Sequence, residues 1–460
     1  MLATGLIAID ATILATAVPS VVGELGAFEQ FPWLFSTYLL AQAVSVPIYA
    51  KLGDTVGRKP IILAGVGLFL IGSVLCGLAW DMTALIVFRV VQGLGAGAVA
   101  PMSMTIVGDL YSVEERAQVQ GYIAGVWAAS SVIGPALGGL FSQFASWRWI
   151  FFVNLPLCLV AGWALLRSYH EKVEPRRHRI DYAGAAVLTV GLTALILALL
   201  QGGNAWPWVS APSLAAVGIG VVTLGVFPLV ERRAAEPILD LALLRRPVIR
   251  TSTLVSVAVG ALLIGVTSFV PTYLENSIGA VPLVSGAAVA ALTLGWPLSA
   301  SQAGRLYLRW GYRATVTTGS LIAVAGSAAL AAAGPWPQPV SVAVACFTIG
   351  FGLGWTAAPS LIAAQASVDW NERSVVTGVV VFARTAGSAV GVAVFGAIAN
   401  NLIAAGAGPH DYRTIVTAAT WVFVAVAATA VLMVLAGRAL PPGQVDAAAY
   451  APSRQGSSTP

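Results

Sequence analysis

Long apolar runs dominate this chain, and they leave its backbone very few solutions. We read fourteen of them, at roughly 1–23, 33–50, 60–80, 83–107, 116–140, 147–166, 182–200, 211–230, 251–274, 283–303, 314–334, 338–361, 374–400 and 416–437. An apolar run of about 20 residues matches the bilayer core when helical. In lipid every backbone N–H and C=O must be satisfied within its own segment. The expectation is an all-α polytopic membrane protein with 14 transmembrane helices. Charged residues make up 9% of the chain, against about a quarter in soluble domains, so almost nothing is left for a soluble domain.

The net charge of +5 does not point to nucleic acid, because the basic residues are sorted by side. With Met1 placed in the cytoplasm, Arg148 and Arg413 are the only basic residues in loops that follow odd-numbered runs. Arg89 and Arg384 lie inside runs, and the other twenty of the 24 fall on the opposite side. This is the positive-inside pattern, and it predicts a multi-pass protein of the cell (plasma) membrane with both termini cytoplasmic. Trp33, Trp80, Trp147, Trp149, Trp206, Trp208, Trp336 and Trp421 fall at predicted outer ends, where amphipathic rings favour the headgroup zone.

Cys76, Cys158 and Cys346 are scattered in apolar runs without metal-ligand spacing, and His170, His178 and His410 are all in loops. No metal and no cofactor are expected. The first run is too long for a signal peptide and lacks its charged start and cleavage site. No basic residue precedes it, as expected of a chain whose start lies upstream.

A charged decapeptide, Ala50-Lys51-Leu52-Gly53-Asp54-Thr55-Val56-Gly57-Arg58-Lys59, returns 254 residues later as Gly304-Arg305-Leu306-Tyr307-Leu308-Arg309-Trp310-Gly311-Tyr312-Arg313. At an offset of 257, Gly93-Leu94-Gly95-Ala96-Gly97 meets Gly350-Phe351-Gly352-Leu353-Gly354, Glu115-Arg116 meets Glu372-Arg373, Gly121 meets Gly378 and Gly134 meets Gly391. The chain therefore reads as two six-helix bundles in the same orientation, 1–166 and 251–440. Two inserted helices with charged cytoplasmic linkers occupy 167–250, and a disordered cytoplasmic tail occupies 441–460. Parallel repeats about an axis normal to the membrane are a transporter plan, with the substrate site near the midplane between them. The charged stretch Glu174-Pro175-Arg176-Arg177-His178-Arg179 reads as a topogenic linker or as a patch for anionic headgroups.

These motifs resemble the major facilitator superfamily, and within it the fourteen-helix drug:proton antiporter family. The loop between the second and third runs is similar to the superfamily signature, with Asp54, Gly57, Arg58 and Lys59 in place and Ala50 where glycine is usual. Arg89, Gln92, Gly93, Gly95, Gly97 and Pro101 resemble its proton-coupling motif. Gly121, Gly125, Gly134, Pro135, Gly138 and Gly139 resemble the antiporter motif. Ile9-Asp10-Ala11-Thr12-Ile13 with Pro19, Trp147-Arg148-Trp149 with Asn154 and Pro156, and Asp181 with Gly184 are similar to elements of the fourteen-helix branch. The resemblance implies a major facilitator fold and export by alternating access. It further implies a cytoplasmic latch of Asp54, Gly57, Arg58, Lys59 and Asp109 that holds the outward-open state.

Residue chemistry sharpens the candidates. Asp10 lies about nine residues into the first run, roughly 13 Å deep, where an ionised carboxylate needs a partner. Arg89 starts about six residues below the outer surface, and its long stem reaches inward. Asp10 and Arg89 are the expected proton-coupling pair, the alternative being a static ion pair that only fixes helix packing. At the latch, a carboxylate suits a helix N-terminus and an arginine suits an acid. The second decapeptide has Leu308 where the first has Asp54, so latching should be asymmetric. The glycines of the fifth run, with Pro135, are expected to serve close helix packing or sliding. Gln42, Gln92, Trp127, Trp296, Trp355 and Arg384 are candidates for lining a mostly apolar substrate cavity. Arg384 has no acid in the second half nearer than Glu275, so it faces water or a substrate with negative character.

The reading that follows is proton-coupled efflux of hydrophobic or amphipathic small molecules, multidrug-type, by a monomer in the lipid bilayer that takes its energy from the proton gradient. Export of a lipid or specific metabolite on the same fold is the nearer alternative, and a non-transporting membrane sensor the more remote one. No catalytic constellation for an intramembrane enzyme and no phosphate-binding loop for an ATP-driven pump is present.

Overall fold

The computed structural model describes residues 2–25, 32–111, 113–169, 171, 181–202, 206–234, 242–280, 282–405 and 411–442. The stretch 172–180 and the tail from 443 lie outside the described residues, as do a few side chains within helices, Pro135 among them.

Each of the fourteen apolar runs falls on a helix. These are α1 (Leu2–Leu25), α2 (Pro32–Thr55), α3 (Arg58–Gly77), α4 (Met82–Leu110), α5 (Val113–Phe144), α6 (Trp149–Ser168, interrupted at Val153), α7 (Tyr182–Gln201) and α8 (Ala211–Glu231). The second half supplies α9 (Pro247–Ile278), α10 and α11, α12 (Pro339–Ala366), α13 (Arg373–Ala405) and α14 (Tyr412–Arg438). Helices α10 (282–310) and α11 (312–333) are the two arms of Pro282–Ala333, which meet at Gly311. Among the described residues nine helices are long and apolar enough to cross a bilayer, with α10 and α11 counted as one.

The two decapeptides are tighter than loops. Gly57 at φ 111°, ψ 151° and Gly311 at φ 79°, ψ 166° make the same abrupt turn. That backbone region is open essentially to glycine alone, so the repeated glycine has a geometric cause.

Packing repeats as the sequence does. Helix α1 packs on α5 and α9 on α13; α3 packs on α4, and α11 on α12. Close approaches run through glycines, since tail-to-tail apolar contact gains little in lipid and short backbone separations gain more. A Cβ at Gly95 would strike the α3 backbone at Phe69, and one at Gly352 would strike the α11 backbone at Ala323. The halves meet at two related seams. In one, Gly121 of α5 faces Ser301 of α10; in the other, Gly378 of α13 faces Ala50 of α2. The inserted helices α7 and α8 pack on each other, through Gly191 against Leu224 and Gly220 against Leu195. They lean on α2 and α13 through Val44, Leu188, Leu192, Phe227 and Phe382.

Candidate functional site

Among the described residues, two clusters built on buried charged side chains interrupt the apolar interior. The first centres on Asp10, which α1 buries to 1% exposure. Arg89 of α4 donates to its Oδ2 at 2.9 Å. Gln92, one turn on, donates to Oδ1 at 2.8 Å, and Asn154 of α6 donates to the same oxygen at 3.0 Å. Ser73 of α3 accepts from Gln92 at 2.8 Å. Arg89 also donates to Gln92 Oε1 at 2.6 Å and to the Leu34 carbonyl at 3.1 Å, and lies 4.1 Å from the Tyr38 ring centroid. Donors from α4 and α6 thus meet the carboxylate of α1, and groups of α2 and α3 hold those donors in turn. Breaking a buried pair by removing one partner costs about 3–5 kcal/mol, so a neutral Asp10 would leave the buried Arg89 charge with one strong acceptor fewer.

The second cluster joins the halves at the helix ends beside Gly57. Arg58, fully buried, pairs with Asp54 at 3.1 Å and Asp109 at 3.1 Å, and reaches Glu171 at 3.9 Å. Its guanidinium lies 3.5 Å from the Trp370 ring centroid and donates to the Trp370 carbonyl at 2.6 Å. Asp54 meanwhile accepts from the backbone N–H groups of Ser374 at 3.3 Å and Val375 at 2.9 Å. These are first-turn donors of α13, the positive end of a long helix. Arg373 crosses the seam in the other direction, to the Gly108 carbonyl at 3.2 Å and Asp109 at 3.5 Å. Glu171 accepts from the backbone N–H groups of Arg58 and Lys59 at 2.9 and 2.8 Å, capping α3. Lys59 donates to the carbonyls of Leu166 and Tyr169. Burial, with the Glu171 and Asp109 carboxylates nearby, pushes the Tyr169 phenol well up, keeping it neutral.

At the opposite ends of the helices, the polar contacts join helices of the same half. Arg148 and Trp147 bind Glu24, and the Tyr273 hydroxyl donates to the Gly334 carbonyl. Among the described residues, charged side chains cross between the halves at the Gly57 end, and none of these contacts at the other end does so.

Asp10 and Arg89 are brought together, as are all of Asp54, Arg58 and Asp109. Gln92 requires a correction: fully buried in the Asp10 cluster, it lines no cavity, because its amide is committed to Asp10 and Ser73. The antiporter-motif glycines divide. Gly134 lies against α1, where a Cβ would collide with Thr12, and Gly121 lies against Ser301. A Cβ at Gly125 or Gly139 meets nothing within 4 Å, so neither serves close helix packing. Gly138 is buried. Trp296 packs against the core of the second half and Trp355 beside Phe351. Gln42 and Arg384 are partly accessible, and Trp127 is 42% exposed. Trp147, expected in the outer belt, is instead buried. Sequence reasoning missed Ser73, Glu171, Trp370 and the first turn of α13. The Glu372-Arg373 repeat was the available signal for the last of these. Among the described residues no group of three or more metal-ligating side chains is placed to hold an ion.

Comparison with known proteins agrees with this architecture. Residues 1–392 match the family model described as Major Facilitator Superfamily. Multidrug resistance protein 3 of Bacillus subtilis is 31% identical over 395 residues, 86% of this chain and 77% of that protein. The multidrug transporter protein MdtP of the same organism is 32% identical over 406 residues, 87% and 75%. Efflux pump FUS6 of Gibberella moniliformis is 31% identical over 421 residues, 87% and 73%. Among solved structures, the human organic anion transporter MFSD10 superposes with a TM-score of 0.67 at 15% identity, covering 95% of this chain and 97% of that one.

Proposed function

Since this chain belongs to the major facilitator superfamily, whose members it resembles here are transporters and efflux pumps, we propose that it exports hydrophobic or amphipathic small molecules in exchange for protons. The observation that carries the reading is the sealed Asp10 cluster. A single carboxylate, held by Arg89, Gln92 and Asn154 across α1, α4 and α6, is a two-state element. Ionised, it fastens α1 to α4; protonated, it releases Arg89 and one set of donors. Proton binding is thereby exchanged against helix arrangement, which is what coupling requires.

The latched end is the cytoplasmic end by the distribution of basic residues, so the arrangement is outward-facing. Opening inward separates α13 from Asp54 and Arg373 from Asp109. The protein works as a monomer in the plasma membrane, with the division at 167–250 leaving one bundle on each side of the cavity and the inserted helices outside it.

Efflux from everted vesicles tests the proposal. A panel of lipophilic cations, neutral drugs, organic anions and lipids is compared with and without a proton gradient. Gradient-dependent uptake of amphipathic compounds, abolished by Asp10→Asn at normal expression, is the expected result. Uptake of none of them, or uptake indifferent to the gradient, overturns it.

A further inference from the structure

Arg384 lies on α13 eleven residues beyond Arg373, about 16 Å along the axis. A guanidinium does not deprotonate in proteins, and in the hydrocarbon region it pairs or faces a water-filled cavity. Arg89, the other interior arginine, is fully paired. Arg384 is not: among the described residues its guanidinium takes part in no hydrogen bond, ion pair or ring contact, and the Ser388 hydroxyl donates to its backbone carbonyl alone. The sequence closes the alternatives, because of the 19 acidic residues Asp10 alone lies inside an apolar run, and Arg89 holds it.

The side of the helix follows from helical periodicity. At about 100° per residue, Arg373 and Thr377 lie within roughly 20° of Arg384. These two turn inward, Arg373 to α4 and Thr377 to Gln365 of α12. Val390, 49% exposed on the outside, is about 120° away. Gly391 and Phe395, also within roughly 20°, pack on Ala261 of α9 and in the core of the second half, so Arg384, partly accessible, lies on the face of α13 turned from lipid toward α9, α12 and, at its Arg373 end, the first half. At the repeat offset of 257 its counterpart on α5 is Trp127, also accessible. One half presents a cation and the other an aromatic face at equivalent places.

We infer that Arg384 selects substrate charge, and that the cavity takes amphipathic organic anions, with the carboxylate or sulfonate on the guanidinium and the apolar body against Trp127. The inference rests on the export reading and deepens it. Exchange of an anion outward for a proton inward moves two charges in the same electrical sense, so transport of the anion responds more steeply to membrane potential than transport of a neutral analogue.

The test uses the full chain in proteoliposomes and a matched pair of fluorescent probes, an aromatic carboxylate and its neutral amide, with a lipophilic cation as third substrate. Arg384→Gln should weaken apparent affinity for the carboxylate about 10-fold or more while leaving the amide unchanged. Arg384→Lys should fall between, keeping the charge but losing the fork. Unchanged amide transport reports folding within the same experiment. Equal loss of carboxylate and amide, or no effect on either, overturns the assignment, as does a wild type that moves the amide and the cation but not the carboxylate. A wild type that moves none of the three overturns the export reading as well.

Discussion

Replacing Asp54 by asparagine removes the one carboxylate that ties α2 to the first turn of α13. Three donors converge on it: Arg58 at 3.1 Å, the Ser374 N–H at 3.3 Å and the Val375 N–H at 2.9 Å. A hydrogen bond to a charged group contributes about 1.5–3 kcal/mol and a neutral one about 0.5–1.5, so each weakens by about 1 kcal/mol. Arg58 keeps Asp109, and the asparagine amide still accepts, which limits the loss to about 2–4 kcal/mol in all. At 1.4 kcal/mol per tenfold, the ratio of latched to unlatched molecules falls on the order of a hundredfold. Spin labels at Val56→Cys and Asp369→Cys read it directly. Both positions are exposed at the latch, and the three native cysteines are buried. Wild type should give a single short distance and Asp54→Asn a substantial longer population. Leu308→Asn, at the equivalent place in the second half, should leave the distribution unchanged. A distribution unaffected by Asp54→Asn, or affected equally by Leu308→Asn, refutes the asymmetric latch.

The antiporter-motif glycines should separate by position. Gly134→Val drives a branched side chain into Thr12 of α1 and should cost about 1–3 kcal/mol by overpacking, whereas Gly125→Ala, with open space around it, should unfold in detergent at the wild-type temperature. Gly57→Ala and Gly311→Ala should each destabilise by about 1–3 kcal/mol, because neither backbone conformation suits an L side chain; thermal unfolding checks both. At the outer end, hydrogen bonds from Arg148 and then Trp147 hold the Glu24 carboxyl below its usual value of 4.5. A depressed folded-state value means a stabilisation present above the unfolded value and lost as pH falls through the folded one. Wild type should therefore lose stability on acidification into that range while Glu24→Gln shows a smaller slope, the difference staying under about 1 kcal/mol for an exposed pair.

Helix placement was legible because spanning a bilayer imposes one length and one composition on every segment, and both halves obeyed it. The Asp10–Arg89 pair was legible for a related reason: two opposite charges inside apolar helices of one bundle have few other ways to be neutralised. What the sequence concealed was reach. Ser73 is an unremarkable polar residue until α3 brings it to Gln92 and Asn154, Asn154 carried a family resemblance but no sign of its partner Asp10, and Gln92 pointed to a cavity only while its partners were unknown. At the latch, Asp54 advertised a helix N-terminus without saying whose. The α13 backbone donors that meet it carry no side-chain signature, and Trp370 looked like any tryptophan near a helix end. The glycines of α5 show the converse limit, since spacing alone does not tell Gly134, pressed on Thr12, from Gly125, beside open space.

In the proposed exchange, substrate and proton compete through Asp10. Proton release from purified protein in weakly buffered detergent solution, followed with a pH dye on adding an exported compound across a pH series, reads that competition. Wild type should release up to about one proton per site, with a maximum on the pH axis, and Asp10→Asn should bind the compound without releasing any. Equal release from Asp10→Asn, or substrate binding to wild type with no release at any pH, rules out competition at Asp10.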